Sequence, residues 1–306
     1  MGYLFLTLSV LSGAIKGFFA KKISDKTSGL KSAVFSNFIR MLFCIPIGLL
    51  FVLFDGGASQ LSVSKEVLFV ALLSGIATSA FIVSWLLAVQ KSAYTAMDAF
   101  LSMGMLVPIL LSGVFYNETV AISQIIGLIL LLGAVVLMSV YTNQIKEKLP
   151  WSSILLLCFV GLANGATDFL QKVFTHTSTG VPASVFNFYT YVFSAIILCT
   201  FFFLLKEKKQ DGVAKEQTTE QKPTFNKRKL AYIAVMAVFL FCNSYFKTLA
   251  ATFLPAVQLY PLSQGTALAL SMLMSALFFK EKIKPLCVVG AIILFIGLLF
   301  LNVIVF

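Results

Sequence analysis

One stretch occurs twice in the chain, as AVFSNFIRMLF at Ala33–Phe43 and as ASVFNFYTYVF at Ala183–Phe193. Asn37 aligns with Asn187 at an offset of 150 residues, and a phenylalanine follows each of them. A polar asparagine repeated deep within an apolar run is unusual, and internal self-similarity indicates the architecture before any short motif does. The repeat therefore predicts that one half-protein was duplicated.

The composition is that of a protein with many membrane spans. Of the 306 residues, 59% are hydrophobic and 11% are charged, whereas soluble domains carry about 25% charged residues. The net charge of +11 comes mainly from lysines between apolar runs, which is typical of topology-setting loops rather than of nucleic-acid binding. The five cysteines form no CxxC pair and there is a single histidine, so we expect no metal site and no cofactor.

Ten apolar runs have about the 20 residues that a membrane-spanning helix requires. They are Gly2–Ala20, Ser32–Phe54, Val67–Val89, Ala93–Phe115, Ile122–Tyr141, Ser152–Val173, Val181–Leu205, Leu230–Leu249, Pro255–Phe279 and Leu286–Phe306. Residues 206–229 separate the seventh and eighth runs and hold eight basic and four acidic residues. We expect this basic linker to be solvated and mobile.

The second half of the repeat follows a different offset. Glu118 aligns with Glu281 and Gly127 with Gly290 at 163 residues, because the linker replaces a shorter loop. Helices one to five (1–145) thus correspond to helices six to ten (146–306). Since five is odd, the second copy is inverted in the membrane, and the predicted fold is all-α with two inverted-topology five-helix repeats. Such repeats are typical of alternating-access transporters, with a site near the midplane.

This layout resembles the EamA-type ten-helix members of the drug/metabolite transporter superfamily along nearly the whole chain. The resemblance is carried by Lys22 and Lys172 closing the first helix of each half, by Arg40, and by Glu118 and Glu281 after each fourth-helix equivalent. The family pattern Gly-Glu-Arg/Lys-hydrophobic is degenerate here, as NETV and KEKI. We interpret the two glutamates as helix caps or structural groups. The resemblance implies a secondary transporter but no substrate, since members move amino acids, drugs, quaternary amines, nucleotide sugars or triose phosphates.

Ionisable residues inside spanning helices cost about 2.5–3.5 kcal/mol each on insertion scales, so each marks a candidate site. The five candidates are Lys16, Arg40, Asp98, Asp168 and Lys247. Arg40 is either a cavity cation or gate partner, or a structural ion-pair or headgroup residue. Asp98 either stabilises the start of its helix or faces the cavity. The place of Lys247 near the end of the eighth helix favours an interfacial anchor.

Asp168 shares a helical face with Asn164 and Lys172. It either pairs with Lys172 at i,i+4 spacing or faces the cavity and binds a cationic group or a coupling proton. Glycines at four-residue spacing in helices one and six predict that these two helices approach closely. That approach would place Lys16 near Asp168.

The ninth helix is unusually polar, with two prolines and two glutamines within Pro255–Gly265. Proline frees backbone carbonyls, which are tolerated in a membrane only where protein or water satisfies them. The pattern favours a broken helix that lines the cavity, with Gln258, Tyr260 and Gln264 as hydrogen-bonding groups, over a plain kink. Trp85 is a candidate aromatic wall for an organic cation.

No HExxH, GxSxG or Walker sequence is present, so we expect no enzyme, and transport driven by a gradient or by exchange. The leading hypothesis is a secondary active transporter of a small polar or charged metabolite (an amine, an amino acid or a drug-like cation), with Asp168 and Asp98 binding the cationic group. The alternatives are an exchanger of an anionic metabolite of the sugar phosphate or nucleotide sugar type, held by Lys16 and Arg40, and a membrane scaffold without transport activity. The expected partners are a small-molecule substrate, the lipid bilayer and, as one option, a coupling proton, with no nucleic acid.

Two arguments about orientation disagree. Eighteen basic residues lie in loops that follow odd-numbered helices, and the even-numbered loops hold only Lys65 and, at a helix end, Lys172. The positive-inside rule then places the odd-numbered loops in the cytoplasm and both termini outside. The family resemblance implies both termini inside. We expect a multi-pass protein of a bacterial inner membrane, with its orientation open.

Overall fold

The computed structural model describes residues 1–24, 30–90, 100–141, 151–178, 180–205, 227–278 and 285–302, and these residues contain helices and no strand. Ten helices correspond to the ten apolar runs: α1 Gly2–Ser24, α2 Leu30–Phe54, α3 Lys65–Gln90, α4 Phe100–Tyr116, α5 Ile122–Tyr141, α6 Trp151–Thr177, α7 Ala183–Leu204, α8 Lys227–Ala251, α9 Ala256–Phe278 and α10 Pro285–Asn302. A short 3₁₀ helix, Ala58–Leu61, lies between α2 and α3. The predicted all-α, two-repeat fold class is confirmed. Asp98, Glu281, most of the basic linker and the predicted 145/146 repeat boundary lie outside the described residues.

The outer surface of the bundle is apolar. Among the described residues, six helices (α1, α2, α3, α6, α7 and α8) are long and apolar enough to cross a membrane, and α4, α5 and α10 contain shorter apolar stretches. Large side chains such as Ile122, Phe203 and Phe295 are 69%, 78% and 62% exposed. Exposed apolar surface on this scale is the pattern of lipid contact. The chain is a multi-pass membrane protein.

The helix packing repeats when the two halves are exchanged. α1 packs against α8 as α3 packs against α6, and α1 packs against α9 as α4 packs against α6. The exchange turns α2 into α7 and α5 into α10, so the α2–α7 and α5–α10 contacts are each unchanged by it. In the α5–α10 pair, a Cβ added to Gly127 would lie 2.7 Å from the Gly297 carbonyl oxygen, so glycine is required for this approach. An inverted repeat produces this two-fold pattern of neighbours.

The repeated asparagines have matching roles. Asn37 Nδ2 donates to the Ile82 carbonyl over 3.1 Å and links α2 to α3. Asn187 Nδ2 donates to Thr248 Oγ1 over 3.1 Å and links α7 to α8. Both asparagines are buried, where an unpaired amide would be costly. The polar residue that revealed the duplication therefore joins the second and third helices of each half.

Two details of the predicted packing are wrong. The α6 glycines contact α4 rather than α1. A Cβ added to Gly161 would collide with the carbonyl oxygen of Phe100, and a Cβ added to Gly165 would collide with the carbonyl oxygen of Gly104. The helix predicted to be broken continues through Pro261 without interruption. The non-helical backbone lies just before it, at residues 252–255.

Candidate functional site

A cavity of about 270 Å³ lies between the two halves. It is lined by α1, α2, α3 and α4 from the first half and by α6, α7, α8 and α9 from the second. Six of the predicted site residues line it, namely Lys16, Arg40, Trp85, Asn164, Asp168 and Gln264. The cavity is thus built from equivalent helices of both repeats, as a midplane transport site is.

A buried ion pair spans the cavity wall. Lys247 Nζ lies 2.6 Å from Asp168 Oδ1, and their side chains are 10% and 4% exposed. The interfacial role predicted for Lys247 is therefore wrong. Of the two alternatives for Asp168, the pairing with Lys172 is wrong, and its place in the cavity lining agrees with the other. The Lys247 ammonium also lies 5.5 Å from the centroid of the Tyr260 ring, a favourable cation–π distance.

Two other predicted site residues, Tyr260 and Gln258, are not among the residues that line the cavity. Tyr260 is fully buried, and its hydroxyl donates to the Asp168 main-chain oxygen over 2.6 Å, so it supports the helix that carries Asp168. Gln258 accepts a 3.4 Å hydrogen bond from the exposed Tyr3. Asp98 belongs to the residues that are not described.

The cavity carries more positive than negative charge. Arg40 Nη2 donates to Asn37 Oδ1 over 2.5 Å, and this neutral partner leaves the guanidinium charge uncompensated. Within the described residues, neither Lys16 nor Arg40 forms an ion pair with a carboxylate. Among the described residues, the lining therefore includes three cationic side chains and one carboxylate, and that carboxylate already pairs with Lys247. Within this described part of the lining, two positive charges remain available to a ligand.

Sequence reasoning missed two amides in the lining. Gln171 lies one turn beyond Asp168 on the same face of α6, and this spacing could have identified it from the sequence. In the structure, Gln171 Nε2 donates to Ser244 Oγ over 3.1 Å. Asn243 on α8 donates to the Ser9 carbonyl over 2.8 Å and joins α8 to α1. No signal in the sequence distinguishes Asn243 from a solvated amide.

A second ion pair, between a buried lysine and a partly exposed glutamate, joins the two halves at one end of the bundle, where the loops after α2, α4, α6 and α8 lie (the even end). Lys172 Nζ lies 2.8 Å from Glu118 Oε1 and donates to the Leu254 carbonyl over 3.0 Å. Glu118 Oε2 accepts from the Ala256 N–H over 2.7 Å at the start of α9, where a negative charge is favourable. The interpretation of Glu118 as a helix cap is confirmed, although the helix that it caps belongs to the other half.

Other contacts reinforce the even end. Tyr245 donates to both carboxylate oxygens of Asp55 at 3.0 Å, and Tyr189 donates to the Leu61 carbonyl over 2.7 Å. His176 stacks on Tyr116 with ring centroids 3.9 Å apart. These contacts join the two halves at the even end, and we interpret this end as closed.

We expect Glu118→Ala to lower the thermal midpoint of the purified protein by about 5 °C, because the substitution leaves the Lys172 ammonium without its carboxylate partner. The matched control is Glu66→Ala, because Glu66 is exposed in the first turn of α3 and surface substitutions change stability by about 0.5 kcal/mol at most. Equal midpoints for the two variants would contradict the role of Glu118 in closing the even end.

Comparisons with known proteins agree with this architecture. No curated protein matches the chain. One solved crystal structure superposes with a TM-score of 0.74 over 98% of this chain and 96% of its own, at 12% sequence identity, which is a likeness of fold alone. The model of the EamA-like transporter family matches residues 1–140 and again residues 151–303. With both repeats matched, the chain belongs to the EamA-like transporter family.

Proposed function

We propose that this protein is a secondary transporter of a small organic anion, which Lys16 and Arg40 bind in the cavity between the repeats. The observation that carries the proposal is the charge of the described lining residues, which comprise three cations and one carboxylate. Charges buried without a partner are costly, and an anionic ligand would offset that cost. Family membership supports transport across the membrane, and the closed even end supports alternating access.

The geometry favours the anionic alternative over a cationic substrate because of where Asp168 is placed. A cationic group would have to compete with Lys247 for this carboxylate at 2.6 Å and would enter a cavity with a net positive charge. An anion, in contrast, meets Lys16 and Arg40, neither of which pairs with a carboxylate in the described part of the chain. Coulomb attraction over a few ångströms is much stronger in such a low-dielectric site than in water.

A thermal-shift screen with succinate, phosphate, choline and lysine tests this proposal. A ligand that binds the folded state at 100 times its dissociation constant adds about 2.7 kcal/mol. We expect stabilisation by the anions, lost in Arg40→Gln and Lys16→Gln. Asp168→Asn should retain or strengthen it, because the substitution frees Lys247. Stabilisation by choline or lysine alone, abolished in Asp168→Asn, would overturn the proposal.

One observation favours a cationic substrate as the second candidate. Asp168 Oδ2 is buried and has no hydrogen-bond partner among the described residues, so the carboxylate retains accepting capacity. A proton could also occupy this oxygen, which makes Asp168 the candidate for a coupling site. In the same screen, stabilisation by choline or lysine that is lost in Asp168→Asn would distinguish this candidate from the anion transporter.

For localisation we propose the inner membrane of a bacterium, with the basic odd-numbered loops in the cytoplasm. In this orientation the closed even end faces outward. A C-terminal fusion reporter that is active only in the cytoplasm should then stay silent. A signal from it would support the orientation that the family resemblance implies.

A further inference from the structure

The cavity wall contains amide side chains whose hydrogen bonding is incomplete. Asn164 Nδ2 and Gln171 Oε1 are buried without a partner in the described structure, and their side chains line the cavity. Asn164 and Gln171 are only 9% and 3% exposed. Buried polar atoms in native proteins are nearly always paired. Ten buried side-chain atoms lack a partner among the described residues, and four of them (Arg40 Nε, Asn164 Nδ2, Asp168 Oδ2 and Gln171 Oε1) belong to residues that line the cavity, so the lining retains hydrogen-bonding capacity for a ligand.

The two open atoms are complementary in kind. The Asn164 Nδ2 group donates a hydrogen bond, whereas Gln171 Oε1 accepts one. A hydroxyl both donates and accepts, and a ligand with several hydroxyls satisfies both amides without adding charge. An ammonium group would satisfy the open acceptors Gln171 Oε1 and Asp168 Oδ2 but would leave Asn164 Nδ2 unpaired, and it would add a positive charge to a cavity whose described lining already has two in excess.

The other walls agree with a hydroxylated ligand. Gln264 and Ser102 add polar groups, and Phe81 and Trp85 add aromatic surface. The volume of about 270 Å³ is near the lower end of small-molecule pockets, which span about 300–1,000 Å³. A compact ligand with a charged end, hydroxyls and aliphatic C–H surface matches this lining.

We infer that the substrate is a hydroxylated organic anion such as a sugar acid, with its acidic group at Lys16 and Arg40 and its hydroxyls at Asn164 and Gln171. This inference rests on the proposed anion transport. A plain carboxylate would leave both amides unpaired, and an uncharged sugar would leave both cations uncompensated. Sites built to hydrogen-bond a hydroxyl strongly reject analogues that lack it.

Three probes of equal carbon number test the inference: gluconate, hexanoate without hydroxyls, and sorbitol without charge. We expect gluconate to bind the purified protein at least about 10-fold more tightly than either analogue, as one or more lost hydrogen bonds would require. In Asn164→Leu the ratio of gluconate affinity to hexanoate affinity should fall toward unity, because gluconate loses a hydrogen bond that hexanoate never makes. In Arg40→Gln both acids should weaken together. Gln171→Met provides the same specificity test if Asn164→Leu does not fold.

The outcomes separate the two proposals. Equal binding of gluconate and hexanoate would overturn the hydroxylated class and leave anion transport standing. Binding of sorbitol as tight as that of gluconate, or binding of amines only, would overturn the anion proposal itself. A gluconate preference that survives both amide substitutions would overturn the assignment of Asn164 and Gln171.

Discussion

Lys247→Met is expected to lower the thermal midpoint of the purified protein by about 10 °C and to abolish transport. The substitution leaves the Asp168 carboxylate buried without the ammonium that lies 2.6 Å away. Removal of one partner of a buried pair costs about 3–5 kcal/mol, and each kcal/mol corresponds to about 2–4 °C in chains of 150–250 residues. Differential scanning fluorimetry measures the midpoint.

Two controls identify the cause. Lys65→Met removes an exposed lysine at the start of α3 and should leave the midpoint unchanged. The double variant Asp168→Asn/Lys247→Met removes both charges and should recover most of the lost stability, because no unpaired charge remains. A double variant as unstable as Lys247→Met would show that the lysine acts through packing instead of through the ion pair.

Gly104→Ala is expected to reduce both the yield of folded protein and its thermal stability. A Cβ at this position would collide with the backbone carbonyl of Gly161 on α6, and no side chain can move aside to accommodate it. Overpacking of this kind costs about 1–3 kcal/mol or more. Since α4 and α6 both line the cavity, their separation should also weaken ligand binding.

Gly133→Ala is the matched control for Gly104→Ala. Gly133 lies within α5, and outside its own helical backbone an added Cβ would meet no described atom within 4 Å. Alanine in a helix interior is about 0.5–1 kcal/mol more favourable than glycine, so this variant should be as stable as the parent or slightly more stable. Equal losses in the two variants would contradict the close α4–α6 contact.

The helices and their duplication were predictable because they depend on local information. Long apolar runs predict spans, and the Asn37/Asn187 repeat predicts that equivalent helices have equivalent neighbours. The pairing of those asparagines with the third helix of each half follows the same logic. The fold class was therefore predicted without knowledge of any side-chain contact.

The partners of the charged residues were not predictable from local spacing. Lys172 is one turn from Asp168 in sequence, yet it pairs with Glu118, and Asp168 pairs with Lys247. Both contacts join different helices, and their geometry depends on how each helix is rotated about its axis. Helices that are apolar on most faces give little information about that rotation.

The contrast between Gln264 and Gln258 has the same origin. Both glutamines lie in the polar start of α9, but only Gln264 lines the cavity. Gln258 accepts a hydrogen bond from Tyr3 instead. Polarity within a span predicted that this helix contributes to the site, but it could not predict which of its faces does so.

Counterflow in proteoliposomes tests the central claim most directly, that an anion crosses the membrane through the cavity lined by Lys16 and Arg40. Vesicles loaded with unlabelled gluconate should transiently accumulate external radiolabelled gluconate, and vesicles loaded with choline should not. Lys16→Gln should abolish this accumulation. Uptake that persists unchanged in both Lys16→Gln and Arg40→Gln, or exchange of labelled choline in place of gluconate, would contradict the account.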